Sequence, residues 1–391
     1  MIQHSLTGRR SNRKWTSVRA AAVLSAGMLA LSACAGAPGN AGGAKEDYYL
    51  PENIALYAPD NATVIKPAPG NPVTGPVTKQ TLTLPYAGAL PVADGPIGDP
   101  AKTYTFCFSQ GLANNPWSTA QKESLMIEAA KHPNIQIKYT ETNDPSQQVA
   151  DLQSCVSQKV NGILVFPQSV GPLTPAIDAI CKAGIFVIGM ERTVDTDCPD
   201  SWVYLDYKQG AIQIANTIGD SLKGKGTVVE TQGTMGSSPQ ILRHEGFIAT
   251  LKSKYPDITL NETSPGDFDR TKAYQAALSF LQSPQGQKID AWYTQYSEMA
   301  LGVYAAMQQT GRTGIPLYTW GDDKATTAAI QRGEVLAAVP ATPLHADLAL
   351  RIAIQAIDKK DFPKRIMLQQ PLLLTKENAG AYDKTTWGSA G

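Results

Sequence analysis

The chain has 391 residues, 42% of them hydrophobic and 17% charged, which is typical of a globular protein long enough for two domains of roughly 150 residues each. Its 34 basic and 34 acidic side chains balance. This neutrality excludes an electrostatic basis for binding nucleic acid, since neutralising phosphates requires an excess of lysine and arginine.

Residues 1–33 are predicted to be an export signal. Basic side chains precede the apolar run AAAVLSAGMLALSA, and no acidic residue occurs before Glu46. The run is too short for a membrane-spanning helix. It ends in LSAC, residues 31–34, which resembles a bacterial lipobox whose cysteine is lipidated and becomes the mature N-terminus. We therefore expect acyl chains on Cys34 to anchor the exported protein to a membrane; an ordinary signal peptide that contains a cysteine is the alternative.

Residues 34–100 are predicted to be a tether. Residues 35–100 contain 11 proline and 9 glycine residues and no sustained apolar period. Such a segment buries too little apolar surface to offset the entropy that is lost on ordering. For the stretch YYLPENIALY, residues 48–57, local docking on the body of the protein stays open.

From residue 103 onward, short β-rich runs alternate with helical stretches. Several runs are apolar on both faces, as strands inside a parallel sheet are. The helical stretch 207–222 carries an apolar stripe on one face. About ten strands are many for one sheet, so the alternation predicts an α/β fold of two Rossmann-like lobes with parallel sheets. The runs are YTFCFS, IQIKYT, GILVFP, IFVIGM, WVYLD, GTVVETQG, DITLNE, DAWYTQ, IPLYTW and VLAAVPA.

Aromatic and hydrogen-bonding side chains recur where these strands end. In open parallel sheets, ligands bind beyond the carboxyl ends of the strands. Aromatic faces cover the C–H side of a sugar ring, while carboxylate, amide and guanidinium groups bond with its hydroxyls. Each residue also has a structural interpretation, as loop packing, a strand end or a surface ion pair. The candidate ligand-binding residues found in this way are Asn115, Trp117, Phe166, Gln168, Glu191, Arg192, Tyr296, Trp320, Asp322 and Asp323.

Six motifs carry a family resemblance that covers about residues 103–380. In chain order they are FSQGLANNPW, ILVFPQSVGPLTPAI, GIFVIGMERTV, ETQGTMGSSPQILRHEGF, GDFDRTKA and SEMALGVYAAMQQTG. Together they resemble the ribose/galactofuranose-type periplasmic sugar-binding proteins, which are the solute-binding components of ABC importers. The resemblance implies a type I periplasmic-binding-protein architecture, in which two lobes joined by a three-strand hinge close on the ligand.

The resemblance also implies where the lobes divide. The N-terminal lobe is expected to comprise residues 101–204 and 341–369, and the C-terminal lobe residues 205–340 and 370–391. Asp206 and Ala341 then lie at the hinge, where Asp206 is a candidate cap of the following helix instead of a ligand contact.

Carried over residue by residue, the resemblance assigns roles to several candidates. Asn115 matches the family's first-loop asparagine and Trp117 its stacking aromatic. Glu191 and Arg192 stand where the family has Asp-Arg, so that Arg192 is expected to donate two hydrogen bonds to adjacent hydroxyls. Phe268 matches an aromatic residue of the second lobe. The family's late aspartate corresponds to Asp322 or Asp323.

Departures from the family pattern make the pocket more aromatic and less rich in amides than a pentose site. A ribose assignment is therefore doubtful, and a hexose, a furanose, a polyol or a less polar ligand stays open. The departures are Phe166 for a polar residue, Tyr296 for an asparagine, Ile241 for a ligand arginine with Arg243 close by, and Ala341-Thr342 for a glutamine.

Four cysteines follow Cys34, and an exported protein can oxidise them to disulfides. Cys107 lies inside the first predicted strand and is expected to be a buried free thiol. Cys181 with Cys198 is the predicted bridge, and Cys155 with Cys181 is the alternative, because both of these lie near the ends of neighbouring helices.

The chain shows no constellation for catalysis, for a cofactor or for a metal. His244-Glu245 lacks the second histidine of HExxH, and GKGT at 224–227 lacks the P-loop spacing. We therefore expect a monomeric binding protein that is not an enzyme. It would capture a small sugar or polyol and deliver it to ABC permease subunits at the periplasmic or cell surface.

Three other functions share features with this sequence. A ligand-sensing binder that presents its closed form to a chemoreceptor or sensor kinase would use the same pocket. A repressor of the lac type shares the core but needs a DNA-binding domain where this chain has a signal and a tether. An exported α/β enzyme would need turnover of the bound sugar.

Overall fold

The computed structural model describes residues 62–369, 372–382 and 387–388. They belong to the second of two compact units, Asp47–Gly391; the first is Met1–Glu46. The predictions of an export signal, of lipidation at Cys34 and of local docking by residues 48–57 lie outside the described residues.

The described chain alternates strands and helices as the sequence predicts. The strands are β1 (Thr63–Ile65), β2 (Val73–Thr74), β3 (Thr81–Leu82), β4 (Tyr104–Gln110), β5 (Ile135–Glu141), β6 (Gly162–Phe166), β7 (Val187–Glu191), β8 (Ser201–Leu205), β9 (Lys225–Thr231), β10 (Asp257–Glu262), β11 (Ala291–Thr294), β12 (Leu317–Trp320), β13 (Ala337–Val339) and β14 (Arg365–Leu368). The helices are α1 (Pro116–Ala129), α2 (Pro145–Ser157), α3 (Val170–Lys182), α4 (Tyr207–Ser221), α5 (Ser238–Lys254), α6 (Arg270–Gln282), α7 (Ser297–Gln309), α8 (Lys324–Arg332), α9 (Ala346–Ile357) and α10 (Ala379–Tyr382), with a 3₁₀ turn at Gln285–Gln287.

Two parallel sheets form the cores of two lobes, which confirms the predicted α/β fold with parallel sheets. The sheet of the first lobe has the order β1-β14-β8-β7-β6-β4-β5, and that of the second lobe has the order β10-β9-β11-β12-β13. Strands β2 and β3 form a separate antiparallel pair. The chain passes from the first sheet to the second after β8 and returns after β13. It then approaches the second sheet again after β14, where Leu374 bridges Ala338.

Alternating side chains of each strand in the first sheet face different helices. On β4, Phe106 and Phe108 are buried in the cluster that contains α1 and α9, while Cys107 is buried in the cluster that contains α2 and α3. Both faces of the sheet are therefore covered, as the apolar strand sequences predict.

Residues 62–100 differ from the predicted tether, because they pack on the first lobe. Strand β1 pairs in parallel with β14, and the apolar side chains of this segment are buried against the core. Glu123 of α1 accepts hydrogen bonds from the backbone N–H groups of Val77 and Thr78 at 2.8 and 2.7 Å. The apolar residues are spaced without a period, so their pattern did not indicate that they would pack against the core of the first lobe. The buried ones are Ile65, Leu82, Leu84, Tyr86 and Ile97.

Among the described residues, no helix combines the length and the apolar character that crossing a membrane requires.

Candidate functional site

A small, partly open cavity lies between the two lobes at the carboxyl ends of the strands. In this closed conformation its free volume is about 30 Å³. The first lobe contributes the residues that follow β4, β6 and β7, and the second lobe contributes the start of α5 and the segments before α6 and α7. Its walls are Leu112, Trp117, Phe166, Glu191, Arg192, Pro239, Arg243, Phe268 and Tyr296. We call this space the cleft cavity.

Aromatic rings from both lobes form the apolar part of the cleft cavity. The rings of Trp117 and Phe166 stack with centroids 5.3 Å apart and planes 26° apart. Across the cleft, Phe268 and Tyr296 meet edge to face with centroids 6.0 Å apart. This arrangement offers ring faces to the C–H side of a ligand from more than one direction.

Three charged side chains form the polar part of the cleft cavity: Glu191, Arg192 and Arg243, here called the charged trio. Each is at most 5% exposed. Arg192 donates through Nη1 to the carbonyl oxygens of Gln168 at 2.7 Å and of Gly111 at 3.3 Å. Arg243 donates through Nη1 to the carbonyl oxygen of Gln295 at 2.7 Å, and the Tyr207 hydroxyl donates to Glu191 Oε1.

The charged trio nevertheless keeps unpartnered atoms. Glu191 Oε2 lies 3.7 Å from Arg192 Nε, which is too far for a hydrogen bond. Within the described part of the chain, Glu191 Oε2, Arg192 Nε and Arg243 Nε are buried and have no hydrogen-bond partner. A buried polar atom without a partner costs about 1–3 kcal/mol, so hydroxyl or carboxylate groups of a ligand would stabilise these atoms.

Burial dominates the electrostatics of the charged trio. It raises the pKa of Glu191 to about 7, against the opposing effect of Arg192 and Arg243. It lowers the pKa of Arg192 and of Arg243 to about 10, so both guanidinium groups stay charged at neutral pH. The guanidinium carbon of Arg243 lies 4.4 and 4.3 Å from the ring centroids of Tyr207 and Trp320, where cation–π attraction favours the charged form.

Replacing Glu191 with glutamine is expected to stabilise the ligand-free protein at pH 8. The carboxyl has a pKa of about 7 when folded against an ordinary value of 4.5. The native protein therefore gains stability as the pH falls from above 7 towards 4.5, and loses it as the pH rises. The glutamine variant lacks this dependence. The difference in unfolding free energy between the variant and the native protein should therefore be larger at pH 8 than at pH 5, by on the order of 1–3 kcal/mol in favour of the variant. Urea denaturation at both pH values measures this, and a difference that is the same at both contradicts it.

Three residues in or next to the cavity wall adopt left-handed backbone conformations. Glu191 has φ 59°, Phe268 has φ 57° and Asn114 has φ 55°. Non-glycine residues rarely adopt this region, and such strain concentrates at binding sites. Here it ends β7 abruptly and turns the side chain of Glu191 into the cavity.

Hydrogen bonds between the lobes hold the cleft closed around the cavity. Asn115 caps α1 by accepting from the Trp117 N–H at 2.9 Å. The same side chain donates to the Phe268 carbonyl at 3.1 Å and accepts from the Tyr296 hydroxyl at 2.7 Å. Thr193 N–H donates to Ser238 Oγ at 2.9 Å. Asn115 therefore lies at the rim, where it connects the lobes.

The hinge candidates also make identifiable contacts. Asp206 caps α4 by accepting from the Gln209 N–H at 2.9 Å, as the sequence suggested, and burial raises its pKa to about 6. The carbonyl of Ala341 accepts from the Trp117 indole Nε1 at 2.8 Å. Trp117 thus connects the cavity wall to one of the strand crossings.

The remaining candidates do not line the cleft cavity. Gln168 lines a separate recess at the mouth of the cleft. Trp320 lies behind Arg243 and donates through Nε1 to the Tyr293 hydroxyl at 2.7 Å. Asp322 accepts from the Trp387 indole at 2.9 Å, and Asp323 caps α8 through the Thr326 N–H at 2.9 Å. Contacts within the protein therefore engage polar atoms of Trp320, Asp322 and Asp323.

Sequence reasoning missed three residues of the site. Leu112 and Pro239 line the cavity, and Tyr207 holds Glu191. Leu112 and Pro239 follow β4 and β9, so the strand-end rule would have found them had apolar residues been considered. Tyr207 read as the first residue of a helix, and nothing in its local pattern indicates its contact.

The structure corrects one prediction about the cysteines. Cys181 pairs with Cys198, which is the predicted bridge. Cys107 was expected to be a free thiol but is bonded to Cys155. The reason is geometric, because Cys107 on β4 faces α2, which carries Cys155, on the far side of the sheet from α1. The alternative pair of Cys155 with Cys181 is thereby excluded.

Outside the cavity, Glu230, His244 and Glu262 bring three potential metal-ligating atoms within 4.8 Å of one another. Glu230 and Glu262 are cross-strand neighbours on β9 and β10. His244 Nδ1 lies 2.7 Å from Glu230 Oε2, and this contact raises the histidine pKa. His244 and Gln232 therefore already contact the carboxylates of Glu230 and Glu262 within the protein.

Comparison with known proteins now defines the class. A family model described as the periplasmic binding protein domain matches residues 106–361, and the chain belongs to this family. This confirms the resemblance carried by the six motifs. The family implies an exported, periplasmic protein. Similar proteins in it bind ligands and are not enzymes, in agreement with the expectation from the sequence.

One curated relative is the xylitol-binding protein of Mycolicibacterium smegmatis, 30% identical over 48% of this chain and 54% of its own length, so the match spans about half of that relative. Among solved structures, the periplasmic component of the arabinose ABC transporter from Shewanella sp. ANA-3, bound to L-arabinofuranose, superposes with a TM-score of 0.66. It is 26% identical and covers 72% of this chain and 95% of its own. A fructose-binding periplasmic domain of a hybrid two-component system also has a TM-score of 0.66, with 25% identity and coverage of 71% and 92%.

Proposed function

We propose that the chain is the lipid-anchored solute-binding protein of an ABC importer, and that it holds a small sugar or sugar-like polyol between its lobes. The observation that carries this proposal is the cleft cavity. Unpartnered atoms of the charged trio stand there beside stacked aromatic rings, and both lobes supply walls. The hydroxyl groups of a sugar can bond with these unpartnered atoms, and the C–H groups of its ring can pack on the aromatic rings.

Capture by hinge closure follows from this division of the walls. A ligand that contacts both lobes binds the closed state better than the open state and shifts the population towards it. The closed face then distinguishes the loaded protein for the permease subunits. Acyl chains on Cys34 would keep a monomeric receptor at the membrane while its lobes move. The arabinose transporter component and the xylitol-binding relative support a ligand of this class.

The test is a thermal-shift screen of the mature protein against sugars and polyols. A ligand at 100 times its Kd stabilises the native state by about 2.7 kcal/mol, which raises the melting temperature by several degrees. Hits are then measured by titration calorimetry, with the Arg192→Ala variant as the control for binding in the cleft. Failure of a broad panel to shift the melting temperature contradicts the proposal.

A sensory role is the second candidate, because a similar structure is the periplasmic domain of a two-component system. The pocket would be the same, and only the partner differs. Affinity capture with the loaded and the ligand-free protein separates the two roles. Recovery of permease subunits by the loaded form supports import, and recovery of a sensor kinase or chemoreceptor supports signalling.

Replacing Trp117 with alanine is expected to weaken ligand binding by about 1–3 kcal/mol, the loss that is typical when an aromatic stacking surface is removed. Its ring is part of the cavity wall, and its indole N–H also contacts the Ala341 carbonyl. Trp117→Phe is the matched variant, since it keeps an aromatic ring but loses the N–H and part of the ring area. In titration calorimetry, the affinity of the Trp117→Phe variant should fall between those of the alanine variant and the native protein. An alanine variant with native affinity would show that the ring does not touch the ligand.

A further inference from the structure

The charges that line the cleft cavity do not balance. Among the described residues of its wall, Arg192 and Arg243 carry positive charge and Glu191 is the acidic group. The wall also holds the Tyr296 phenol, whose pKa burial raises well above 10, so it stays neutral. Even with Glu191 ionised, one positive charge is left without a counter-ion.

Nearby acidic groups do not supply the missing charge. Asp322 bonds with Trp387 and Asp323 caps α8, and in the described part of the chain neither lies within ion-pair distance of Arg192 or Arg243. At the mouth of the cleft, Asp267 is paired with Lys272 at 2.8 Å. The carbonyl groups that accept from Arg192 and Arg243 satisfy donors but bring only partial charges. A buried charge without a counter-ion is costly, so a ligand that carries one negative charge would stabilise the site.

Guanidinium groups from both lobes lie near the ring of Phe268. Their central carbons lie 5.5 Å, for Arg192, and 5.8 Å, for Arg243, from the centroid of the same Phe268 ring. Each keeps a buried, unpartnered Nε–H. Helix α5 also begins at the wall, at Ser238-Pro239, and the positive end of its dipole adds to the potential there.

We propose that the ligand of the cleft cavity is a small polyhydroxylated carboxylate, a sugar acid, instead of a neutral sugar. This proposal rests on the proposed binding function and names its ligand class. The carboxylate accepts hydrogen bonds from Arg192 and Arg243, joins the two lobes and neutralises the excess charge. Its hydroxyls bond with Glu191, and its C–H groups lie on the rings. A monoanion matches the single excess charge, whereas a phosphate ester brings about two.

Matched pairs of compounds test the proposal by titration calorimetry at pH 7.5. Each pair consists of a neutral polyol and the sugar acid with the same number of carbons. The pairs are erythritol and erythronate, xylitol and xylonate, and galactitol and galactonate. We expect the acid to bind at least tenfold more tightly in the pair that fits. If the neutral member binds more tightly, the sugar-acid proposal is overturned while the binding function stands. If neither member of any pair binds and a neutral sugar screen is also silent, both fail.

Substitutions in the charged trio add a second readout. Glu191→Gln keeps the size of the side chain and removes the internal counter-ion, so the ratio of acid to polyol affinity is expected to rise at least fivefold. Arg243→Gln removes the excess charge, so the ratio is expected to fall towards one. An unchanged ratio in both variants overturns the proposal, and circular dichroism establishes that each variant is folded.

The pH dependence provides a third readout with a defined sign. The groups that face Glu191 are Arg192, Arg243 and the Tyr207 hydroxyl. Lowering the pH from 8 to 6 protonates Glu191 and increases the positive excess. Affinity for the acid should therefore rise severalfold, while affinity for a neutral polyol that donates to Glu191 should fall. The opposite sign for the acid contradicts the proposal.

Discussion

Replacing Arg192 with alanine is expected to remove ligand binding, with a loss of at least about 3 kcal/mol, or more than 100-fold in Kd. Arg192 is 2% exposed, so its bonds with a ligand would form away from bulk water. It also lies 4.4 Å from the Phe166 ring centroid, which fixes its place over the aromatic wall. Titration calorimetry with a ligand from the screen measures the loss.

The Arg192→Ala variant also loses bonds to the loops that follow β4 and β6, so its fold must be established separately. Arg192→Lys keeps a positive charge but lacks the planar fork, and its affinity should fall between those of the alanine variant and the native protein. Arg270→Ala is the control, since this side chain is 49% exposed and pairs with Glu298 on the surface. If a folded Arg192→Ala protein binds the ligand with native affinity, Arg192 does not contact the ligand.

Replacing Arg351 with alanine is expected to lower the unfolding free energy by about 3–5 kcal/mol, the effect of breaking a buried ion pair. Arg351 of α9 bonds with Asp347 at 2.6 Å and with Glu128 of α1 at 3.2 Å. Its Nη1 donates to the carbonyl oxygens of Tyr86 and Ala89, at 2.9 and 2.7 Å. Its removal leaves the buried carboxylate of Asp347 without its cation, leaves Glu128 with Lys131 as its cation, and removes two hydrogen bonds that hold residues 86–89.

Two measurements test the role of Arg351. Urea denaturation should show the loss of stability, and limited proteolysis should cleave within residues 62–100 faster than in the native protein. Arg332→Ala is the matched control, because its side chain is 54% exposed and its pair with Glu334 should contribute less than about 1 kcal/mol. Equal stability of the Arg351 and Arg332 variants would show that the buried network does not hold the segment.

The candidate site was accessible from the sequence where a simple topological rule applies. Side chains that follow parallel strands meet at one edge of a sheet, and this rule together with the family resemblance placed Trp117, Glu191 and Arg192 in one cavity. Their role in binding stays a prediction. The rule says nothing about competing partners, and for that reason Asp322 was assigned to the ligand although Trp387 holds it.

The amino-acid sequence by itself determined the alternation of strands and helices, the parallel sheets and the family, because these follow from local periodicity and from motifs that are contiguous in the chain. Only the tertiary structure decided that residues 62–100 belong to the first lobe, that Cys107 bonds with Cys155, and that the charged trio has one positive charge in excess. Each of these depends on contacts between residues that lie far apart in the chain. Burial, disulfide pairing and the net charge of a site can be stated only when those contacts are known.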